Sequence, residues 1–239
     1  MAVASCASIS ASSLGLPQQA AMPESKASLP KQMFYAKTPV SSGLKQRFVN
    51  DIKEITVLGV LNASNTGTSS EGRLKEILII GVLLNTRTVP VDALEHIAKL
   101  RPSGILFVCV NINDGVDECA LAVRRARPGR AGHVQQNTVY VGEWRSASET
   151  RLALHGDTIE QIWESLNAQA ILGSSESEKS QYQNLDQRIA RRESIAELRA
   201  LDAKLTKDHA RAKNPAQRNE IYAKLHKART QLAALEAEV

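Results

Sequence analysis

The sequence predicts an α+β protein: a mixed β-sheet with flanking helices, followed by a C-terminal antiparallel α-helical hairpin of coiled-coil character. Three observations carry that expectation. Ile221, Leu225, Ala228, Leu232, Leu235 and Val239 follow one another at alternating steps of four and three, the spacing of a heptad seam that keeps one apolar stripe against a partner helix. Residues 74–84 and 104–110 are almost wholly apolar and flank a helical face, which reads as a strand–helix–strand unit with parallel strands covered on both sides. Asn113, Asp114 and Gly115 tolerate positive φ and turn the chain back into a strand over 116–124, so the sheet has parallel and antiparallel neighbours.

Taken in order, residues 1–28 are expected to be a flexible N-terminal segment, at most a short and poorly ordered helix. Ala and Ser dominate its first half, no basic residue precedes Lys26 and no continuous apolar stretch is present, so neither a secretory nor an organellar signal is supported. Pro23, Pro30 and Pro39 punctuate an extended lead into an α+β domain over 29–173. Ser41 or Ser42 can cap a helix in which Leu44, Phe48, Ile52 and Ile55 recur at helical spacing, and a strand runs from near Ile55 to Leu61. A small-residue loop over 62–72, the strand 74–84, a helical face of Val91, Leu94, Ile97 and Ala98, and the strand 104–110 follow. Beyond the hairpin lie a strand over 138–144 and a helix in which Asp157 and Glu160 suggest a capping box, with Gly173 at its end.

Ser174 to Ser180 reads as a polar linker opening the hairpin region, 174–239. Leu185, Ile189, Ile195, Leu198, Leu201 and Leu205 form the apolar stripe of the first arm. Asn214 is placed as N-cap, Pro215 as the first helical residue and Gln217 as the reciprocal cap of the second. Each arm of roughly 25 residues would extend about 35 Å.

Composition narrows the class. A chain of 239 residues with 43% apolar content can bury one core plus an appendage. Its longest apolar run, Ile77 to Leu84, is far short of the roughly 20 residues of a membrane span, so no membrane association is expected. Cys6, Cys109 and Cys119 form an odd set without C-x-x-C spacing and read as reduced core thiols of a cytoplasmic protein. A net charge of +5 permits an anionic partner without requiring one.

The run Arg124-Arg125-Ala126-Arg127-Pro128-Gly129-Arg130 is the candidate nucleic-acid contact: Arg124, Arg125, Arg127 and Arg130 could clamp phosphates weakly and without reading sequence. A solvated hairpin end is the competing explanation, and the loop has no aromatic residue on which bases could stack. Arg188, Arg191, Arg192, Arg199, Lys204, Lys207, Arg211 and Lys213 add charge in the C-terminal hairpin, but interleaved acids make that pattern look like a charged solvent face. Ile221, Leu225, Leu232 and Leu235 are the candidate partner-binding residues. Glu54, Glu76, Asp92, Glu95, Asp117 and Glu118 could serve a nuclease only if they converged, and none sits in an acid-x-lysine strand pattern. His96, His133, His155, His209 and His226 lack ligand spacing, and Gly67 and Gly72 fit no phosphate-binding loop. No catalytic residue, metal ligand or cofactor is assigned.

Leu29-Pro30-Lys31 with Phe34-Tyr35, the passage Phe48 to Ile55, the Leu61-Asn62-Ala63-Ser64 turn, Glu76-Ile77, Gly104-Ile105-Leu106-Phe107, Trp144, Leu154-His155-Gly156 and the closing basic hairpin together resemble a prokaryotic domain-of-unknown-function family, family 4391. The likeness runs from about Leu29 onward, and the chain departs from it in having Val57-Leu58 where an aromatic and a basic residue are usual. The resemblance implies an accessory protein encoded beside type III-like DNA methyltransferases and helicases in restriction-like or phage-defence operons. It supplies no catalytic residues. The expected function is therefore a non-catalytic accessory or interaction subunit with a methyltransferase or helicase as partner. The competing classes are a divergent metal-dependent nuclease and a coiled-coil scaffold.

Overall fold

Apolar runs too long to alternate become strands covered on both faces. In the computed structural model, which describes residues 2–36, 39–127, 137–173 and 184–237, β1 (Ser5–Cys6) and β2 (Ile9–Ser10) form a small ribbon. A second sheet, six-stranded among the described residues, runs β3 (Ile52–Asn62), β4 (Glu76–Leu84), β5 (Gly104–Asn113), β6 (Val116–Ala126) and β7 (Asn137–Val141), with β8 (Arg145–Ser146) also on β6. Pairing is antiparallel at β3/β4, parallel at β4/β5 and antiparallel at β5/β6 and β6/β7. The α+β class and the mixed sheet are thus present. Helices α1 (Glu24–Ala27), α2 (Ser42–Asn50) and α3 (Ala63–Thr66) precede α4 (Val91–Lys99), which links the parallel pair. At the β5–β6 turn Asp114 and Gly115 have φ of 49° and 77°, the doubly left-handed geometry that matches strand twist in a two-residue hairpin.

One face of the sheet packs beneath α2 and α4. Phe48, Ile52, Ile55, Ile80, Val82, Phe107 and Cys109 meet Ala93, Leu94 and Ile97 there, and Phe34 stacks on Phe48 with ring centroids 5.8 Å apart. Ser41 starts α2 by accepting the Leu44 N–H at 3.2 Å. The opposite face is covered by α5 (Ile159–Leu172) and by the N-terminal segment.

That segment is where sequence and structure differ most. Residues 1–28 were expected to be a flexible tail, yet Ala4, Cys6, Ile9, Ala11, Leu14, Leu16, Ala20 and Ala27 are buried. The Met22 N–H donates to Leu58 O at 3.0 Å and the Leu29 N–H to Ile55 O at 2.9 Å, which occupies the outer edge of β3. Leu152 N–H reaches Leu14 O at 2.9 Å, and Ser8 N–H reaches the Asp117 carboxylate at 2.8 Å. Small side chains let the backbone lie close on the sheet: a Cβ on Gly81 would stand 2.5 Å from the Cys6 Cβ. Edge pairing and burial therefore override the helix propensity of alanine, and the boundary placed at Leu29 falls inside the first compact unit.

Two smaller differences have local causes. Ile52 and Ile55 belong to β3, not α2, although their spacing of three continues the helical pattern of Leu44 and Phe48. A bulge between Ile52 and Glu54 inserts one residue, so both isoleucines face the same core. At α5 the cap is Thr158, whose hydroxyl accepts the Gln161 N–H at 3.2 Å, while Gln161 Oε1 accepts the Asp157 N–H at 2.7 Å. Glu160 is thereby released to bind elsewhere. Its carboxylate accepts from the Leu74 N–H at 3.0 Å and from the Arg73 N–H, pinning the loop before β4.

The chain divides into two compact units, Met1–Gln181 and Tyr182–Val239; the sequence placed that boundary after Gly173. The second unit holds α6 (Leu185–Arg211) and α7 (Pro215–Ala237). Arg191 donates to Leu235 O at 2.7 Å and Arg229 pairs with Asp202 at 2.6 Å, so the helices run antiparallel as a hairpin. Asn214 Oδ1 accepts the Ala216 N–H at 2.9 Å, as its N-cap position requires. In α7 the residues that are not exposed are Ile221, Leu225, Ala228, Leu232 and Leu235. Leu201, placed by sequence in the stripe of the first arm, is 43% exposed, and the neighbouring Asp202 turns inward to Arg229.

Leu14 is fully buried, so Leu14→Ala should cost about 2–5 kcal/mol in urea unfolding, and a chain lacking residues 1–28 should lose its cooperative transition. A flexible tail would give neither result. The Leu74 N–H, and then the Arg73 N–H and Lys75, hold the Glu160 carboxylate below its ordinary pKa, against the opposing effect of desolvation. A depressed pKa adds stability above the unfolded value that is lost as pH falls through the folded one. Amide exchange at Leu74, corrected for intrinsic rate, should therefore accelerate on acidification, and Glu160→Gln should abolish that dependence.

Candidate functional site

The arginine cluster begins on a strand, because β6 runs to Ala126 and only then leaves the sheet. Alternation sends Arg124 and Arg125 to opposite faces. Arg124, on the α4 side, has Nε 3.9 Å from Glu95 Oε1, while Lys99 holds the same carboxylate at 2.9 Å. Arg125, on the α5 side, grips Glu164 with two parallel hydrogen bonds of 2.6 and 2.8 Å. This is the fork geometry that a guanidinium would otherwise offer a phosphate. Arg127 is exposed just past the strand, and Arg130 lies outside the described residues. The expectation of one open loop carrying four arginines is thus corrected: two are strand residues on different sides of the sheet, Arg125 held by Glu164 and Arg124 near Glu95 with its buried Nε making no hydrogen bond among the described residues.

The six acids weighed for metal chemistry are dispersed and occupied. Glu54 accepts from Thr56 at 2.9 Å, Glu76 from Ser103 at 2.7 Å and Asp117 from the Ser8 N–H. Asp92 lies 3.8 Å from Arg47, Glu95 holds Lys99, and Glu118 meets Arg87 at 3.2 Å. Among the described residues no three His, Cys, Asp or Glu side chains form a group that could hold a metal ion. His96 Nε2 is 2.6 Å from Phe34 O, in a local structural contact.

The three cysteines are free thiols and buried. Burial, with Glu54 and Asp117 adding, pushes the Cys6 thiol up to about 12. Burial likewise raises Cys109 and Cys119, the latter against the opposing hydrogen bond to Thr150 and the charge of Arg145. Neutral thiols of this kind are poor nucleophiles and poor metal ligands.

Sequence reasoning missed a polar cluster beside the carboxyl ends of β4 and β5. Arg87 lies over the Trp144 ring at 5.7 Å and binds Glu118, whose Oε2 is buried without a hydrogen bond. Asn111, paired across the ladder with Glu118, is buried and reaches Leu84 O at 3.4 Å. The signal was the pair of polar residues interrupting two apolar strands. The cluster fastens the chain after β4 to the sheet.

Of the candidate partner-binding residues, Leu225 is buried while Ile221, Leu232 and Leu235 are half-buried. They occupy the seam face of α7, whose partner within the unit is α6.

These features define a mixed-sheet α+β domain followed by a separate helical hairpin. The chain belongs to the family described as domain of unknown function (DUF4391), which it matches over residues 14–232. The match starts ahead of Leu29, inside the segment that seals β3. No curated protein and no solved structure matches the chain.

Arg125→Ala should lower stability by about 1 kcal/mol in urea unfolding, as expected for a partly exposed ion pair. Glu164→Gln should do the same, and the double variant should lose little more than either. Additive losses would show that the two side chains act separately.

Proposed function

We propose that this chain is a non-catalytic accessory subunit of a restriction-like DNA-modification or phage-defence assembly, acting in the cytoplasm and binding a methyltransferase or helicase subunit through its hairpin. The observation that carries the reading is the hairpin itself, a compact unit in which the less exposed residues of α7 recur at steps of four and three. Its outer surface presents Leu201 and Tyr222, 43% and 58% exposed, as the large apolar side chains through which it would meet a partner. The engagement of Glu54, Glu76, Asp92, Glu95, Asp117 and Glu118 by separate partners supports a binding role over hydrolysis. Membership of DUF4391 gives the family alone; the accessory role rests on what the sequence resemblance implies.

Co-expression with a type III-like DNA methyltransferase and helicase tests the reading. The tagged full chain should retain one of those subunits through gel filtration, and Leu201→Asp with Tyr222→Asp should weaken retention at least tenfold while far-UV circular dichroism stays unchanged. Failure of the native chain to retain either subunit would overturn the proposal. Magnesium-dependent DNA cleavage lost in Glu76→Gln or Asp117→Asn would place the protein among nucleases instead.

A further inference from the structure

The formal net charge of +5 is not spread over the molecule. Residues 204–227 hold seven of the 30 Lys and Arg but two of the 25 Asp and Glu, so the remainder of the chain is balanced and the whole excess sits at the turn end of the hairpin. Lys204, Lys207 and Arg211 follow one another on α6 at steps of three and four, which places them in one row. All three are exposed, whereas Leu205 between them is buried and His209 meets the Tyr222 ring of α7 at 6.1 Å. The row therefore faces away from the other arm. Lys213 in the turn and Arg218 and Lys227 on α7 are exposed as well.

Elsewhere several cations are matched. Arg124 and Arg125 face Glu95 and Glu164, and farther along the hairpin Arg199 and Arg229 bind Glu236 and Asp202. At the turn end Lys224 binds Glu220 at 2.6 Å. The other six cations there have no ion pair among the described residues. Like charges three and four apart on a helix repel, so a row of them is stabilised by a polyanion. Tyr222 is one exposed ring, too few for the stacking platform that unpaired bases need. Rigid helices bearing lysines and arginines suit an unbroken line of phosphates.

We propose that the turn end of the α6–α7 hairpin binds the phosphate backbone of duplex DNA without reading its sequence. This moves the nucleic-acid contact from Arg124–Arg130 to a different part of the molecule, and it holds whichever protein the chain accompanies.

The test is fluorescence anisotropy of the full chain with a short random-sequence DNA duplex, between about 50 and 200 mM salt. Affinity should fall steeply with salt. Lys204→Gln, Lys207→Gln and Arg211→Gln combined should reduce the slope of log K against log salt by about 2.7, at roughly 0.9 per phosphate contact, whereas Lys204→Arg with Lys207→Arg should preserve it. Arg218→Gln, an independent cation on the other arm, should remove about 0.9 by the same arithmetic. An unchanged slope in both variants would overturn the proposal, as would a loss seen instead in Arg124→Gln with Arg127→Gln. Competition by polyglutamate or anionic vesicles as strong as that by duplex at equal charge would also overturn it, assigning the surface to an acidic protein or a membrane. Partner retention is read separately, so failure here leaves the accessory-subunit reading standing or falling by itself.

Discussion

The parallel pair β4/β5 sets the constraint on which the domain depends. Both strands are buried along most of their length, and a strand of that kind needs cover on two faces. Helices α2 and α4 supply one side from nearby sequence. The other is completed by α5 and by the N-terminal segment, which comes from the far end of the unit and also closes the outer edge of β3. Without that segment the sheet would expose apolar residues and an unpaired edge together, the combination that favours aggregation over folding. Glycine at the contact follows from geometry: a Cβ on Gly81 would stand 2.5 Å from the Cys6 Cβ, and one on Gly59 would stand 2.8 Å from the Ala20 carbonyl oxygen.

What was legible in the sequence follows from the range of the forces involved. Hydrophobic period and turn chemistry are local, so the apolar runs of β4 and β5, the Asp114-Gly115 turn, the Asn214 cap and the α7 seam could all be read directly. Cover of the sheet by residues 1–28 is non-local. Nothing in an Ala- and Ser-rich segment announces the strand it will meet, and its composition resembles a free terminus. The bulge at Ile52 shows a subtler limit, since an inserted residue turns a strand's period of two into a step of three and imitates a helix.

The candidate nucleic-acid residues illustrate the same division. Four arginines close together in sequence are a statement about charge, whereas their use depends on which way each points. Ending β6 at Ala126 rather than earlier was enough to separate Arg124 from Arg125 by the thickness of the sheet and to give each an acid. In the hairpin the reverse holds. Acids and bases alternate along the text of α6, yet Glu236 and Asp202 answer cations across the arms, and among the described residues the one ion pair of the turn end is Lys224 with Glu220.

The three thiols give the molecule an internal record of its own opening. Cys109 lies on the α2/α4 face, Cys6 rides on the N-terminal ribbon over Gly81, and Cys119 contacts Thr150 near the Ala147–Glu149 turn. Because burial keeps each one protonated, an alkylating reagent modifies a cysteine chiefly in molecules where that layer has come away. Modification of Cys6 ahead of Cys109 would register the strap lifting from an intact sheet, while simultaneous modification of both would mean that strap and sheet come apart as one. The unaltered sequence thus carries built-in clocks for three separate layers of the same domain.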